Sequence, residues 1–180
     1  GMAAFILFPA YHGIMATAAG DMAIPKGTWY GNIFVMLRQL LVFTKPITNQ
    51  IYDGGVNLYC GMLAILTMFL YLFVKEHPWK KFRKYVLLVL LVISFNHQTL
   101  NYIWHGMHDQ YGIPNRFSFV FIFVLLIMAY DAVQKIAEID ICFVISSVLL
   151  AMAFVFACRQ QAGDTIQKFT IPVSLAMLVI

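Results

Sequence analysis

Residues 141–158 read ICFVISSVLLAMAFVFAC, an apolar run whose only polar side chains are Ser146 and Ser147. A helix of ~20 apolar residues crosses the ~30 Å hydrocarbon core of a bilayer. A lone strand there would leave its backbone groups unpaired. The stretch therefore reads as a transmembrane helix, and three further runs repeat its character. Residues 58–74 (LYCGMLAILTMFLYLFV) hold no charge. Residues 85–104 open on YVLLVLLVI and end in SFNHQTLNYIW. Residues 117–133 (FSFVFIFVLLIMAYDAV) are apolar up to Asp131. None shows the alternation of a transmembrane barrel strand. The expected fold class is all-α, a polytopic transmembrane helix bundle forming one domain over residues 1–180.

Composition agrees. Of 180 residues 62% are apolar and 11% charged, against roughly 25% charged in an ordinary soluble domain. Mean hydropathy is +0.80. Twenty charged side chains cannot cover a soluble core of this size. A water-soluble globule, a disordered chain and a nucleic-acid module are excluded.

The ends are shorter. Residues 1–15 (GMAAFILFPAYHGIM) contain Pro9, and residues 170–180 (TIPVSLAMLVI) stop within an apolar stretch. Each reads as a partial span, and the chain as a piece of a longer polytopic protein. A complete small protein with two half-spans is the alternative. The start has neither the basic region nor the small-residue site of a signal peptide.

Orientation rests on residues 75–84, KEHPWKKFRK, where five cations meet one acid. The positive-inside rule makes this loop cytoplasmic. Alternation then puts residues 16–57, about 96–116 and 159–169 outside, and 134–140 inside. Within the outer segment 16–57, residues 32–43 (NIFVMLRQLLVF) suit a helix lying in the interface, with Arg38 and Gln39 on one side. Packing on other outer helices fits equally. Anionic lipid headgroups suit the basic loop. Cys60 and Cys158 should lie near the outer face, so a disulfide between them is open, although buried membrane thiols are the ordinary reading.

The chemistry concentrates in residues 94–119, SFNHQTLNYIWHGMHDQYGIPNRFSF. Polar groups at membrane depth are costly and are functional candidates by default. His97 and Asn101 share a face if the helix continues, and His105 follows one turn later. His105, His108 and Asp109 have the residue types of a metal site, but Gly106 argues against the helix that would gather them. Interfacial anchoring explains Tyr102 and Trp104. It explains Arg116 poorly, because a cation at a helix start opposes the helix dipole. Arg116 therefore wants an anionic partner, either phosphate or a carboxylate of the same protein. Asp53 precedes Gly54-Gly55 and suits capping or turn chemistry more than catalysis. Asp21 and His12 are weaker candidates of the same kind, and Asp131 and Glu138 read as topological.

Three motifs in order, YDGGVNLYCG (52–61), LNYIWHG (100–106) and PNRFSFxFxF (114–123), resemble the YfhO family of bacterial membrane proteins. The motifs cover residues 40–133, and the flanking helices fit by hydropathy. The resemblance implies a GT-C-like glycosyltransferase that takes sugar from a polyprenyl-phosphate donor to a cell-envelope polymer of the lipoteichoic-acid type, on the outer face. It also implies that the catalytic carboxylate lies in an early outer loop outside these 180 residues. Arg116 would then hold the donor phosphate with His105 as a second donor group. Asn101, His108 and Asp109 would touch the sugar or support those that do, and Asp53 would contact the acceptor. No cofactor is implied, and a divalent metal is left open. The partners expected are the lipid-linked sugar, the acceptor polymer and membrane lipid, with no nucleic acid. A lipid or polymer transporter or flippase, and a non-catalytic membrane subunit, are the competing readings. A transport path needs polar groups near the midplane, and residues 86–93 offer none.

Overall fold

The computed structural model describes residues 2–16, 24–47, 55–107, 115–162 and 168–179. Among them the fold is helical: α1 (Met2–Met15), α2 (Ile33–Leu37), α3 (Met62–Leu70), α4 (Pro78–Asn96), α5 (Gln98–Trp104), α6 (Ser118–Gln134), α7 (Ile141–Ala162) and α8 (Thr170–Val179). α3 is the hub, packing on α6, α7 and α8, while α4 packs on α6. Leu58, Ile65, Leu91, Phe95, Leu125, Met128 and Val155 are essentially fully buried between them.

The outward surface is apolar too. Phe119, Phe123 and Leu126 of α6 are exposed, as are Ile141, Ile145 and Leu149 of α7 and Phe5, Ile6 and Phe8 of α1. Apolar surface of this extent on several helices marks contact with something other than water. Among the described residues one helix, Ile141–Gln160, is long and apolar enough to cross a membrane, and only 22% of its apolar stretch is buried within the fold. Ser118–Gln134 and Thr170–Val179 are shorter apolar helices.

Local chemistry moves several boundaries from those the apolar runs suggest. The run 58–74 is helical only from Met62 to Leu70, because Gly61 at φ +100° sits outside the helical region and starts α3 late. α4 begins seven residues before the run at 85–104. Pro78 takes its first turn, where the missing N–H costs nothing. The His77 Nδ1 accepts from the Trp79 N–H at 3.3 Å as its cap. Lys80, Lys81, Arg83 and Lys84 therefore lie on helix rather than loop. The segment 32–43 forms α2 and then a single 3-10 turn over Arg38–Leu40. Met36, Gln39, Leu40, Leu41 and Val42 are buried, and α2 packs against the long apolar helix α7 rather than on other outer helices. Cys60, Cys142 and Cys158 are free thiols, and the Cys60–Cys158 disulfide is not formed.

The run 85–104 is broken at His97, whose ψ of 120° is extended. The break is filled by the chain at 25–31. Trp29 pairs with His97 in an antiparallel bridge. The Tyr30 N–H donates to the Asn96 carbonyl at 2.9 Å, and the Gln98 N–H donates to the Thr28 carbonyl at 3.0 Å. Asn96 closes the contact with its side chain, donating Nδ2 to the Gly31 carbonyl at 2.9 Å and accepting the Gly31 N–H at 3.1 Å. Gly27 faces the His97 ring, and a Cβ there would meet it at 3.4 Å, an ordinary contact. His97 then restarts the helix, its Nδ1 accepting the Leu100 N–H at 3.4 Å.

Asn96 is buried and satisfies both polar groups of Gly31. Asn96→Ala should cost about 2 kcal/mol, since it removes two part-buried hydrogen bonds at about 1 kcal/mol each. Thr28→Ala removes a more exposed bond to Gln98 and should cost under ~1 kcal/mol. Thermal unfolding of the detergent-solubilised full-length protein separates the two.

Candidate functional site

Asn101 lies on α5 one turn beyond the break, and its N–H donates to the His97 carbonyl at 2.9 Å, so the helical spacing from His97 survives the extended residue. The Asn101 side chain is buried and its Nδ2 donates to the Asn115 Oδ1. Asn115 is fully buried, and its own Nδ2 donates to the Gly55 carbonyl at 2.8 Å. Its φ of +51° lies in the left-handed region, which asparagine tolerates better than most residues. One uncharged amide thus ties together the lead into α3, helix α5 and the start of α6. Such a network holds shape without the desolvation cost of a buried ion pair.

Arg116 follows Asn115 directly and is exposed at the head of α6. His105 closes α5 and is half-buried, with Nδ1 2.8 Å from the Asn101 carbonyl. A carbonyl only accepts, so that contact assigns a proton to Nδ1. Phe117 supports the pair, its ring stacked on Trp104 at 5.1 Å and edge-on to His105 at 5.6 Å. Beside them the buried Tyr102 Oη has no hydrogen-bond partner among the described residues. A buried hydroxyl left so is a natural place for a water or a ligand oxygen.

Of the residues the sequence singled out, Asn101, His105 and Arg116 therefore fall in one region. His108, Asp109 and Asp53 lie outside the described residues. α5 ends at Trp104, and Gly106 and Met107 turn the chain at φ +74° and +63°, so no helix carries His105 on to position 108. Among the described residues no three His, Cys, Asp or Glu side chains gather as a metal site. Asn115 as the central amide was missed in that choice. Its signal was the Pro-Asn-Arg sequence ahead of an apolar run, where a left-handed residue turns the chain into the helix.

The other end of α4 holds the charged groups. Lys84 Nζ donates to Asp131 Oδ2 at 2.5 Å and to the Tyr71 hydroxyl at 2.7 Å, and stands 3.6 Å from Glu76 Oε2. The Tyr71 hydroxyl donates to Glu76 in turn. Asp131 is thus a partner linking α6 to α4 and not merely a marker of topology. Burial works to raise the Glu76 carboxyl, but the Tyr71 hydrogen bond and Lys84, Lys135 and Lys80 outweigh it and hold it below its ordinary value. Burial likewise works against the Lys84 charge, yet its bonds to Asp131 and Tyr71 hold it above the ordinary lysine value.

These shifts have opposite limbs. Glu76 contributes stability above the ordinary carboxylate pKa, and that contribution is lost as pH falls through its depressed value. Lys84 contributes below the ordinary lysine pKa, and loses its contribution as pH rises through its raised value. The full-length protein should be most stable between those limits. Lys84→Met should flatten the alkaline limb and weaken the acid one, read from unfolding midpoints across pH.

The fold and this region define an all-helical protein with lipid-compatible surfaces and a polar site at one end. The family model for the bacterial membrane protein YfhO matches residues 1–180, and the chain belongs to that family. The match extends beyond residues 40–133, where the motifs lie. No curated protein and no solved structure matches the chain.

Proposed function

We propose that the chain is a multi-pass part of a glycosyltransferase that moves a sugar from a polyprenyl-phosphate donor to a cell-envelope polymer on the extracytoplasmic face. The observation that carries this reading is Arg116 exposed at the head of α6, in the chain between Asn115, which the buried Asn101 holds, and Phe117, whose ring meets His105. Support for the sidedness comes from the separation along α4. Lys80, Lys81, Arg83 and Lys84 occupy its first turns, and Asn101 and His105 follow its last. At 1.5 Å per residue, Lys84 and the last residue of α4, Asn96, are ~18 Å apart along the axis, more than half of a ~30 Å hydrocarbon core, and α5 follows beyond the break. The positive-inside rule makes the lysine end cytoplasmic. The exposed apolar faces of α1, α6 and α7 favour several spans rather than one.

The chemistry is displacement at the anomeric carbon. The acceptor hydroxyl forms the new C–O bond while the bond to the lipid phosphate breaks, and the phosphate leaves with the electron pair. A guanidinium offers that phosphate two parallel donors, so Arg116 stabilises charge as it develops. His105 joins it as a donor when its ring is charged. Asn101 orients His105 through its carbonyl. His108 and Asp109 are assigned to the sugar and Asp53 to the acceptor. The acceptor proton goes to a carboxylate base, which the resemblance puts in an early outer loop of the family.

A transporter reading is weaker. The middle of α4, Val86–Ile93, carries no polar side chain, where a substrate path would need some.

In the full-length protein Arg116→Ala should abolish polymer glycosylation at unchanged protein level, and full glycosylation would remove the proposed role. Met107 is exposed next to His105. Met107→Cys should react with an impermeant maleimide in intact cells, and Lys80→Cys only after permeabilisation. The reverse pattern would overturn the sidedness.

A further inference from the structure

Pro78, Trp79 and Phe82 at the start of α4 enclose an open cleft of about 270 Å³. Trp79 is 64% exposed and Phe82 57%, and their rings meet edge to face at 5.6 Å. At 100° per residue, Trp79, Phe82 and Arg83 share the outward face of α4 with Val86, Val89 and Leu90. Those three aliphatic side chains are exposed as well, while Leu88, Leu91 and Phe95 on the opposite face are buried. An aromatic cleft thus opens onto an apolar strip that runs along the helix.

The cleft is bordered by cations whose nearby acids are already engaged. Glu76 is largely buried and is held by Tyr71 and Lys84, and Asp131 is held by Lys84. Lys80 is 61% exposed and reaches Glu76 only at 3.9 Å. Arg83 Nε donates to the carbonyl of Trp79, one of the residues lining the cleft, at 3.3 Å. Lys81 Nζ donates to the Leu72 carbonyl at 2.9 Å and stays at the same end. Positive charge gathered next to an aromatic-lined apolar strip is complementary to one kind of molecule, an anion attached to an alkyl chain.

We infer that this is a binding site for an anionic phospholipid. Its phosphate sits between Lys80 and Arg83, and its acyl chain follows the cleft onto Val86, Val89 and Leu90. A zwitterionic lipid brings its own ammonium and gains less from the cations. Inorganic phosphate has nothing to place in the cleft, and an acidic protein would leave the aliphatic strip bare. The site needs α4 to lie in a bilayer and stands apart from sugar transfer at the other end.

Native mass spectrometry of the full-length protein in detergent tests it, with phosphatidylglycerol and phosphatidylcholine of matched chains as probes. Phosphatidylglycerol should be retained about fivefold more, the ratio expected from one added lysine-type contact. Replacing Lys80→Gln, Lys81→Gln and Arg83→Gln together should bring the ratio near one, and Trp79→Ala should weaken retention of both lipids. Raising salt from about 50 to about 500 mM should also erase the preference in the unaltered protein, which covers the case of a variant that fails to fold. Equal retention of the two lipids, a preference that survives the triple substitution, or one indifferent to salt would overturn the assignment. Displacement of phosphatidylglycerol by inorganic phosphate would show a free-anion site and overturn it too.

Discussion

A helix that breaks in apolar surroundings must have its freed N–H and C=O groups satisfied by the protein itself. α4 breaks at His97, and the strap at 25–31 supplies what the break exposes. Two backbone hydrogen bonds link it to Asn96 and Gln98, and the Asn96 amide closes on Gly31. α5 takes its direction from this junction, and with it the positions of Asn101 and His105. Without the strap, the residues assigned to the phosphate would have no fixed platform.

Polarity is sorted along the bundle by type. One end uses charge: Lys84 is shared among Tyr71, Glu76 and Asp131. The other uses amides: Asn101, Asn115 and the Gly55 carbonyl form a chain of neutral hydrogen bonds. The difference suits their tasks. A buried amide chain positions loops at modest desolvation cost. It also fixes the backbone from which the exposed Arg116 projects.

The sequence was most legible where hydropathy alone decides. The runs at 117–133 and 141–158 appear as α6 and α7 with little change at their starts. It was less legible where single residues override a run. Gly61 delays α3, and Pro78 with His77 pulls α4 back into the basic segment. The break at His97 was not visible at all, since its partners lie about seventy residues earlier and a run of apolar residues gives no sign of a strap. Gln39 shows the same limit: it looked like a polar face beside Arg38, yet it is buried and donates to the Lys45 carbonyl. At the site, spacing anticipated that His97, Asn101 and His105 follow one another by turns. It could not show that Asn115 closes the set, because that contact joins separate helices.

The Lys84–Asp131 pair joins residues 47 positions apart in the chain. A ribosome delivers the lysine first, together with Tyr71 and Glu76, which already lie behind it. Until α6 emerges, the ammonium has only the phenol and one carboxylate for company, and its long stem can rest at the headgroup level. Arrival of the second carboxylate draws it inward and locks α4 to α6. The order of synthesis thus sets the order in which these partners become available, with the carboxylate that ties α6 to α4 the last of the three.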